Sequence, residues 1–515
     1  MPKQDLLKTG IDGLDSILMG GIPRTNVIAV QGVTGSGKTL MGLEFIYRGI
    51  VEYNEPGLVV VFETNPDKLV RDASEFGWDL DELKRQNKLQ IIFTSPQVFD
   101  QELRSPDSLL LETANEIGAQ RIFVDGIGLL NPALTKTNVG RGAYRELLQQ
   151  LIESFNREKL TAMLSLELTP PPDVLGTAEM TDFLCDTVIR LDRERRGRTL
   201  RRSIEILKSR GQDFEPGDHT LQITAGKGLE IFRRVQAPLR ATASQPTSST
   251  KRSVIGVEAI DTLIGGGIFD GSTTMVVGVS GVGKTVLSTQ ILREGARQQK
   301  TRGLLISLDE HPAQIIRNAE TLGMDLKDQI ADGTIQIMFE SPQELNVDAH
   351  YARIVKLIEQ NDIQRMVIDG MTSYSSAIGE VGVYRDFFHA IVAFCKQRLM
   401  TAFFNYENPE FLGISAYMPE FPVSSVVDNL ILLSLVEVRN SLHRCISVVK
   451  ARASKHSFDT REYVIGQGGI SLVPLEQDLT PAVPLQSYSS LLSRAPTRFS
   501  VPKGINGVAA VQGRG

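Results

Sequence analysis

Gly32-Val33-Thr34-Gly35-Ser36-Gly37-Lys38-Thr39 and Gly278-Val279-Ser280-Gly281-Val282-Gly283-Lys284-Thr285 both read G-x-x-x-x-G-K-T. Each follows a short apolar run rich in valine, Val27 to Val30 or Thr274 to Val277, and opens a stretch of helical character. In that strand–loop–helix setting the pattern forms a phosphate cradle, or P-loop. Backbone N–H groups wrap the phosphate oxygens, and glycines permit the approach because they lack a Cβ. Lys38 and Lys284 would reach the β- and γ-phosphates as point charges, while Thr39 and Thr285 would place a hydroxyl on Mg2+. The helix N-terminus that follows favours negative charge. The predicted nucleotide-binding residues are therefore Gly35, Ser36, Gly37, Lys38, Thr39 and Leu40, and again Gly281, Val282, Gly283, Lys284, Thr285 and Val286. One such match can arise by chance; two in register do not.

Lys284 follows Lys38 by 246 positions, and the offset recurs. Asp15 answers Asp261, Gly20-Gly21 answers Gly266-Gly267, Glu63 answers Asp309, and Ser95-Pro96-Gln97 answers Ser341-Pro342-Gln343. Arg121 to Gly126 (RIFVDG) slips by two against Arg365 to Gly370 (RMVIDG), and Lys208-Ser209-Arg210 matches Lys450-Ala451-Arg452 at offset 242. Small slips fit loop insertions in a duplicated domain of about 240 residues, which is too long for a solenoid repeat. The predicted boundaries are 1–235 for the first domain, 236–252 for a Ser/Thr/Ala/Pro-rich linker, 253–475 for the second domain, and 476–515 for a partly mobile tail. Apolar runs such as Leu58 to Phe62, Gln90 to Phe93 and Arg121 to Val124 alternate with helical patterns such as Asp67 to Phe76. The fold class is α/β, each half a mostly parallel, doubly wound sheet with ligands at the strand C-termini.

Composition narrows the function classes. The 515 residues carry a formal net charge of −6, with 41% hydrophobic and 23% charged residues. No global basic field draws this chain to nucleic acid or to an anionic membrane. The three cysteines, Cys185, Cys395 and Cys445, form no metal-ligand or redox spacing, so buried, reduced thiols are expected. No apolar segment opens the chain and no run of membrane length occurs within it, which predicts a cytoplasmic location.

Asp125 and Asp369 end the apolar runs RIFVD and RMVID, where a Walker B aspartate would sit beside the Mg2+ water shell. The metal-site candidates are thus Thr39, Asp125, Thr285 and Asp369. Alone, such an aspartate is as readily a turn residue. Phosphoryl transfer also needs a group to orient or deprotonate the nucleophile. Glu63, and the pair Asp309-Glu310, stand in register for that role; the alternative is a helix N-cap, because Pro66 and Pro312 follow closely. Lys208, Arg210, Lys450 and Arg452 end apolar strands. They would either be solvated or neutralise γ-phosphate charge in a neighbouring subunit, as an arginine finger does.

With these residues in place, the two RecA-like halves resemble the KaiC family of clock ATPases and autokinases. The resemblance runs from about Gly10 to Ile470 and includes GIDGL…GGIPR, both P-loops, EPGLVVVFETNPDKL followed by EFGWDL, and HPAQIIRNAETLGMDL. It also includes DNLILLSLVEVR followed by KAR. It implies a double-ring homohexamer with ATP and Mg2+ at subunit interfaces, a slow ATPase in the first ring, and a second ring that phosphorylates and dephosphorylates a hydroxyl pair on the neighbouring subunit. That pair falls on Ser424-Ser425, where the family has Ser-Thr. At offset 242 the first half has Asp182-Phe183 instead. The asymmetry assigns hydrolysis to the first half and serine kinase chemistry to the second.

The resemblance is uneven. The family has two adjacent glutamates in each half; here they are Glu63-Thr64 and Asp309-Glu310. A KaiB-like partner on the first ring remains compatible, whereas Pro502 to Gly515 lacks the charged character of the tail that recruits KaiA, so that partner is not supported. Members without KaiA imply timing or stress signalling. The rival readings are a DNA-processing motor of the same fold and a low-turnover nucleotide-gated scaffold. Nucleic acid is disfavoured because the dense basic run, Arg190 to Arg202, carries no stacking aromatics.

Overall fold

The computed structural model describes residues 5–105, 108–131, 141–168, 177–196, 199–236, 249–408, 426–438 and 441–474. Ser424 and Ser425, most of the predicted linker and the tail from 476 lie outside the described residues. The chain divides into two compact units after Gln236, with Asn346–Lys356 grouped with the first.

In the first half, β1 (Leu6–Leu7) and β2 (Ile22–Pro23) form a short antiparallel ribbon. The main sheet contains β3 (Val27–Gly32), β4 (Gly57–Val61), β5 (Leu89–Phe93), β6 (Arg121–Asp125), β7 (Thr161–Glu167), β8 (Thr187–Arg196), β9 (Thr199–Ser209), β10 (Asp218–Thr224) and β11 (Gly228–Phe232). Its order is β5-β4-β6-β7-β3-β8-β9-β10-β11. The strands from β5 to β8 are parallel, and β9 to β11 continue the sheet antiparallel. All residues of β3 are buried. A central parallel strand covered on both faces needs such a continuous apolar run.

The second half repeats this plan. β12 (Arg252–Ser253) pairs with β13 (Ile268–Phe269). The sheet then comprises β14 (Thr273–Gly278), β15 (Gly303–Ser307), β16 (Ile335–Phe339), β17 (Arg365–Asp369), β18 (Thr401–Glu407), β19 (Asn429–Val438), β20 (Ser441–Ala451), β21 (Arg461–Gly466) and β22 (Gly469–Leu472). Its order, β16-β15-β17-β18-β14-β19-β20-β21-β22, matches the first strand for strand. Even an irregularity is duplicated: the ladder slips between Val188 and Ile189, and again between Leu430 and Ile431.

Helices cover both faces. In the first half the P-loop helix Lys38–Tyr53 buries Met41, Phe45 and Ile46 on one face, in a core that includes Trp78 and Leu80. On the other, Phe99, Tyr144, Leu148, Leu151 and Phe155 pack with Val27 and Ala29. In the second half the helix Val381–Gln397 buries Tyr384, Phe387, Phe388 and Ile391, and Tyr374 stacks on Phe387 at 5.0 Å. Each large apolar side chain so buried contributes about 1.5–3 kcal/mol. Among the described residues no helix is long and apolar enough to cross a membrane. All three cysteines are free; Cys185 and Cys395 are buried as expected, but Cys445 is only half-buried, on β20.

Candidate nucleotide sites

Both P-loops lie at the C-terminal ends of β3 and β14, each flanked by parallel neighbours on both sides. The chain turns from strand to helix through Gly37 (φ 111°) and Gly283 (φ 109°), a backbone region that an L side chain rarely adopts. Lys38 Nζ donates to the carbonyls of Gly32 (2.8 Å) and Val33 (3.0 Å). Lys284 does the same with Gly278 (2.8 Å) and Val279 (2.9 Å). Each ammonium thus rests inside its own loop. Burial lowers the proton affinity of both lysines, opposed first by Glu167 at Lys38 and by Glu407 at Lys284. An added phosphate would reverse that penalty, because a dianion favours the charged lysine.

The predicted metal residues come together in each half. Thr39 Oγ1 donates to Asp125 Oδ2 at 3.0 Å, and Thr285 Oγ1 donates to Asp369 Oδ2 at 2.6 Å. A hydroxyl and a strand-end carboxylate at hydrogen-bond distance suit Mg2+, which takes few protein ligands and completes its shell with phosphate and water. Ser36 Oγ, fully buried in the first P-loop, has no hydrogen-bond partner among the described residues. In the second half a cleft of about 350 Å³ is lined by the P-loop, Asp309, Glu310, Asp369, Asn405 and Glu407. Burial raises the Asp369 carboxyl, opposed by hydrogen bonds from Thr285 and Asn405. Burial also raises Glu310, with the Asp369 charge adding to it.

The acids do not cap helices. Asn65 Oδ1 accepts from the Asp67 N–H at 2.9 Å, and His311 Nδ1 accepts from the Ala313 N–H at 3.3 Å. Glu63, Asp309 and Glu310 stand just beyond the ends of β4 and β15, one strand away from Asp125 and Asp369. Lys208 Nζ donates to the carbonyls of Asp182 (2.8 Å) and Cys185 (2.6 Å), and Lys450 Nζ to that of Val427 (2.7 Å). Arg210 Nη2 donates to Phe183 O at 2.9 Å, and Arg452 Nη1 lies 3.4 Å from Asp428 Oδ1. These cations hold the turns that lead into β8 and β19; Lys450 and Arg452 do not line the cleft of their own half. Asp182 is tied to the P-loop strand through Gln31 Nε2 at 2.5 Å.

Several site residues escape a reading of motifs. Ser165 Oγ donates to Asp125 Oδ1 at 2.6 Å, and Asn405 Nδ2 donates to Asp369 Oδ1 at 2.8 Å and to Ser288 Oγ at 2.8 Å. Ser288 stands where the first half has Gly42, where a methyl group would lie 2.1 Å from the Phe123 ring. Glu167 and Glu407 pair in register with Gly32 and Gly278, the first P-loop glycines, and the Thr34 hydroxyl donates to Glu167. An acid closing the strand that follows β6 and β17 in sequence, in both copies, was the available signal. Arg193, from the basic run, lies against the first P-loop: a methyl group on Gly35 would be 2.8 Å from its Nη1.

Two equivalent cradles on duplicated sheets of this order define a tandem RecA-like P-loop ATPase. The KaiC ATPase family model matches residues 7–236 and 254–477. The chain belongs to the KaiC family. It is 31% identical over 500 residues to the circadian clock oscillator protein KaiC of Parathermosynechococcus lividus, covering 96% of this chain and 88% of the relative. The KaiC of Synechococcus elongatus is 30% identical over 501 residues (96% and 92%), as is KaiC 1 of Synechocystis sp. (96% and 92%).

Proposed function

We propose that this KaiC-family ATPase hydrolyses ATP in its first half and uses ATP in its second half to phosphorylate Ser424 and Ser425 of a neighbouring subunit. The observation that carries this reading is the unequal acid content of the two sites. The second cleft has Asp309 and Glu310 beside Asp369, whereas the first has Glu63 followed by Thr64. A threonine hydroxyl cannot take a proton as a carboxylate does. Glu310, with its proton affinity raised by burial and by Asp369, is suited to accept the proton of an attacking hydroxyl.

In the transfer, a serine oxygen forms the bond to the γ-phosphorus and its proton passes to the carboxylate. The bond to the β,γ-bridging oxygen breaks, and ADP leaves with the electron pair. Lys284 leaves its P-loop carbonyls to balance phosphate charge. Thr285 and Asp369 would hold Mg2+, which when bound screens the phosphate oxygens. Lys208, Arg210, Lys450 and Arg452 would act across the interface of a homohexamer. We further propose domains at 1–235 and 253–475, a cytoplasmic location, a KaiB-like partner on the first ring, and a role in timing or stress signalling; of these, the names of the relatives, circadian clock oscillator proteins, support timing.

Incubation with Mg2+ and γ-labelled ATP, followed by peptide mapping, tests the reading. Label on the peptide holding Ser424-Ser425, lost in the Ser424→Ala/Ser425→Ala chain, is expected. Nucleotide binding with little hydrolysis and no label favours the scaffold, and DNA-stimulated hydrolysis without label favours the motor.

A further inference from the structure

The Asp309 carboxylate is held in a way that Glu63 is not. β15 and β17 are parallel neighbours with Ser307 opposite Asp369, so the residues that follow, Asp309 and Gly370, leave adjacent strand ends. Asp309 turns over Gly370: a methyl group there would lie 2.4 Å from Asp309 Oδ2. Gly370 also has φ 98°, so two separate constraints favour glycine. Beyond it, the Ser373 hydroxyl in the first turn of the helix Met371–Ile378 donates to Asp309 Oδ1. The matching positions of the first half are Glu63, Gly126 and Leu129. There a methyl group on Gly126 would meet Leu129 and Phe62, not a carboxylate, and leucine has no donor to offer.

An aspartate carries its carboxylate on one methylene fewer than glutamate does, so its reach across the cleft depends on how its torsions are fixed. The Ser373 hydroxyl on Oδ1 and the backbone of Gly370 against Oδ2 fix them at the edge of the cleft, which Asp309 and Gly370 both line. We propose that Ser373 is a positioning residue for phosphoryl transfer in the second site, holding Asp309 toward the reacting γ-phosphate, and that Gly370 provides the space for that arrangement. The proposal rests on the reading of the second cleft as a site of ATP turnover.

The test uses the full chain with Mg2+ and ATP. Second-site turnover is taken as the part of ADP release that Lys284→Ala removes, and label transfer is followed in parallel. Ser373→Ala is expected to lower that turnover about tenfold or more with the KM for ATP within about twofold, the signature of misplacement without lost binding. Ser373→Thr, which keeps the hydroxyl, should restore most of it. In an Asp309→Asn background, Ser373→Ala should add nothing further, because the effect runs through Asp309. Full turnover in Ser373→Ala, equal losses with and without Asp309→Asn, or no second-site turnover at all would each overturn the proposal. Normal second-site turnover without label instead sinks the kinase reading and leaves this one standing.

Discussion

Glu44 and Gln290 occupy the same place on the two P-loop helices, yet they hold the last strand of each sheet differently. Gln290 accepts from the Ile470 N–H at 2.8 Å and donates to the Ile470 carbonyl at 3.2 Å. Glu44 accepts from the matching Leu229 N–H at 2.8 Å and, when ionised, has no proton to return. Arg48 Nε lies 3.3 Å from the other oxygen, and Glu52 adds like charge from one turn further along. Burial pushes the Glu44 carboxyl up to about 7.

The sign of the resulting pH dependence follows. A carboxyl with a folded-state value above its unfolded one takes up a proton on folding, so stability falls as pH rises from about 4.5 to about 7. Glu44→Gln should abolish that slope and stabilise the first half above pH 7 by about 1–3 kcal/mol, with little effect near pH 4.5. Thermal unfolding at pH 5 and pH 8 measures this; equal midpoints for variant and parent at pH 8 would contradict it.

Lys38→Ala and Lys284→Ala should each empty one cradle. Bound nucleotide per chain is expected to halve in either variant, with affinity at the altered site reduced on the order of 100-fold. Equilibrium binding of a fluorescent ATP analogue reads both quantities. Loss of binding at both sites from one substitution would show that the sites are not independent.

Asn405→Leu removes the donor that faces Asp369. Burial already raises this carboxyl, and the Asn405 hydrogen bond opposes the rise. Without it, protons compete better with Mg2+. The Mg2+ concentration for half-maximal second-site turnover should therefore increase, and by more at pH 6 than at pH 8. Titration of turnover with Mg2+ at both pH values decides the point.

Glu55 supports the buried Arg121 at the start of β6, accepting from Nε at 2.8 Å, and also accepts from Arg24 at 2.6 Å. Glu55→Ala leaves a buried guanidinium without its counter-charge and should cost about 3–5 kcal/mol. The equivalent Arg365 is held by neutral groups, the Ile291 carbonyl (2.9 Å), the Val254 carbonyl (3.0 Å) and Gln299 Oε1 (2.7 Å). Burial lowers its pKa to about 10. Gln299→Ala, which leaves both carbonyls in place, should cost less than Glu55→Ala in chemical denaturation.

Sequence alone determined the duplication, both G-x-x-x-x-G-K-T loops, the strands that end in Asp125 and Asp369, and the family, because each is written in local chemistry. Glycines where φ must be positive, a lysine and threonine at fixed spacing, and apolar runs that suit only central strands are legible wherever they occur. The slip from offset 246 to 242 was legible too, since insertions shift every later match. Tertiary structure alone decided which side chains meet. Ser373 and Asp309 are 64 positions apart, Asn405 and Asp369 are 36 apart, and Glu44 and Leu229 are 185 apart. Such pairs exist only once parallel strands set their register and bring separate strand ends side by side. A serine in a helix turn, or an asparagine within a strand, carries no signal until the register gives it a carboxylate to hold.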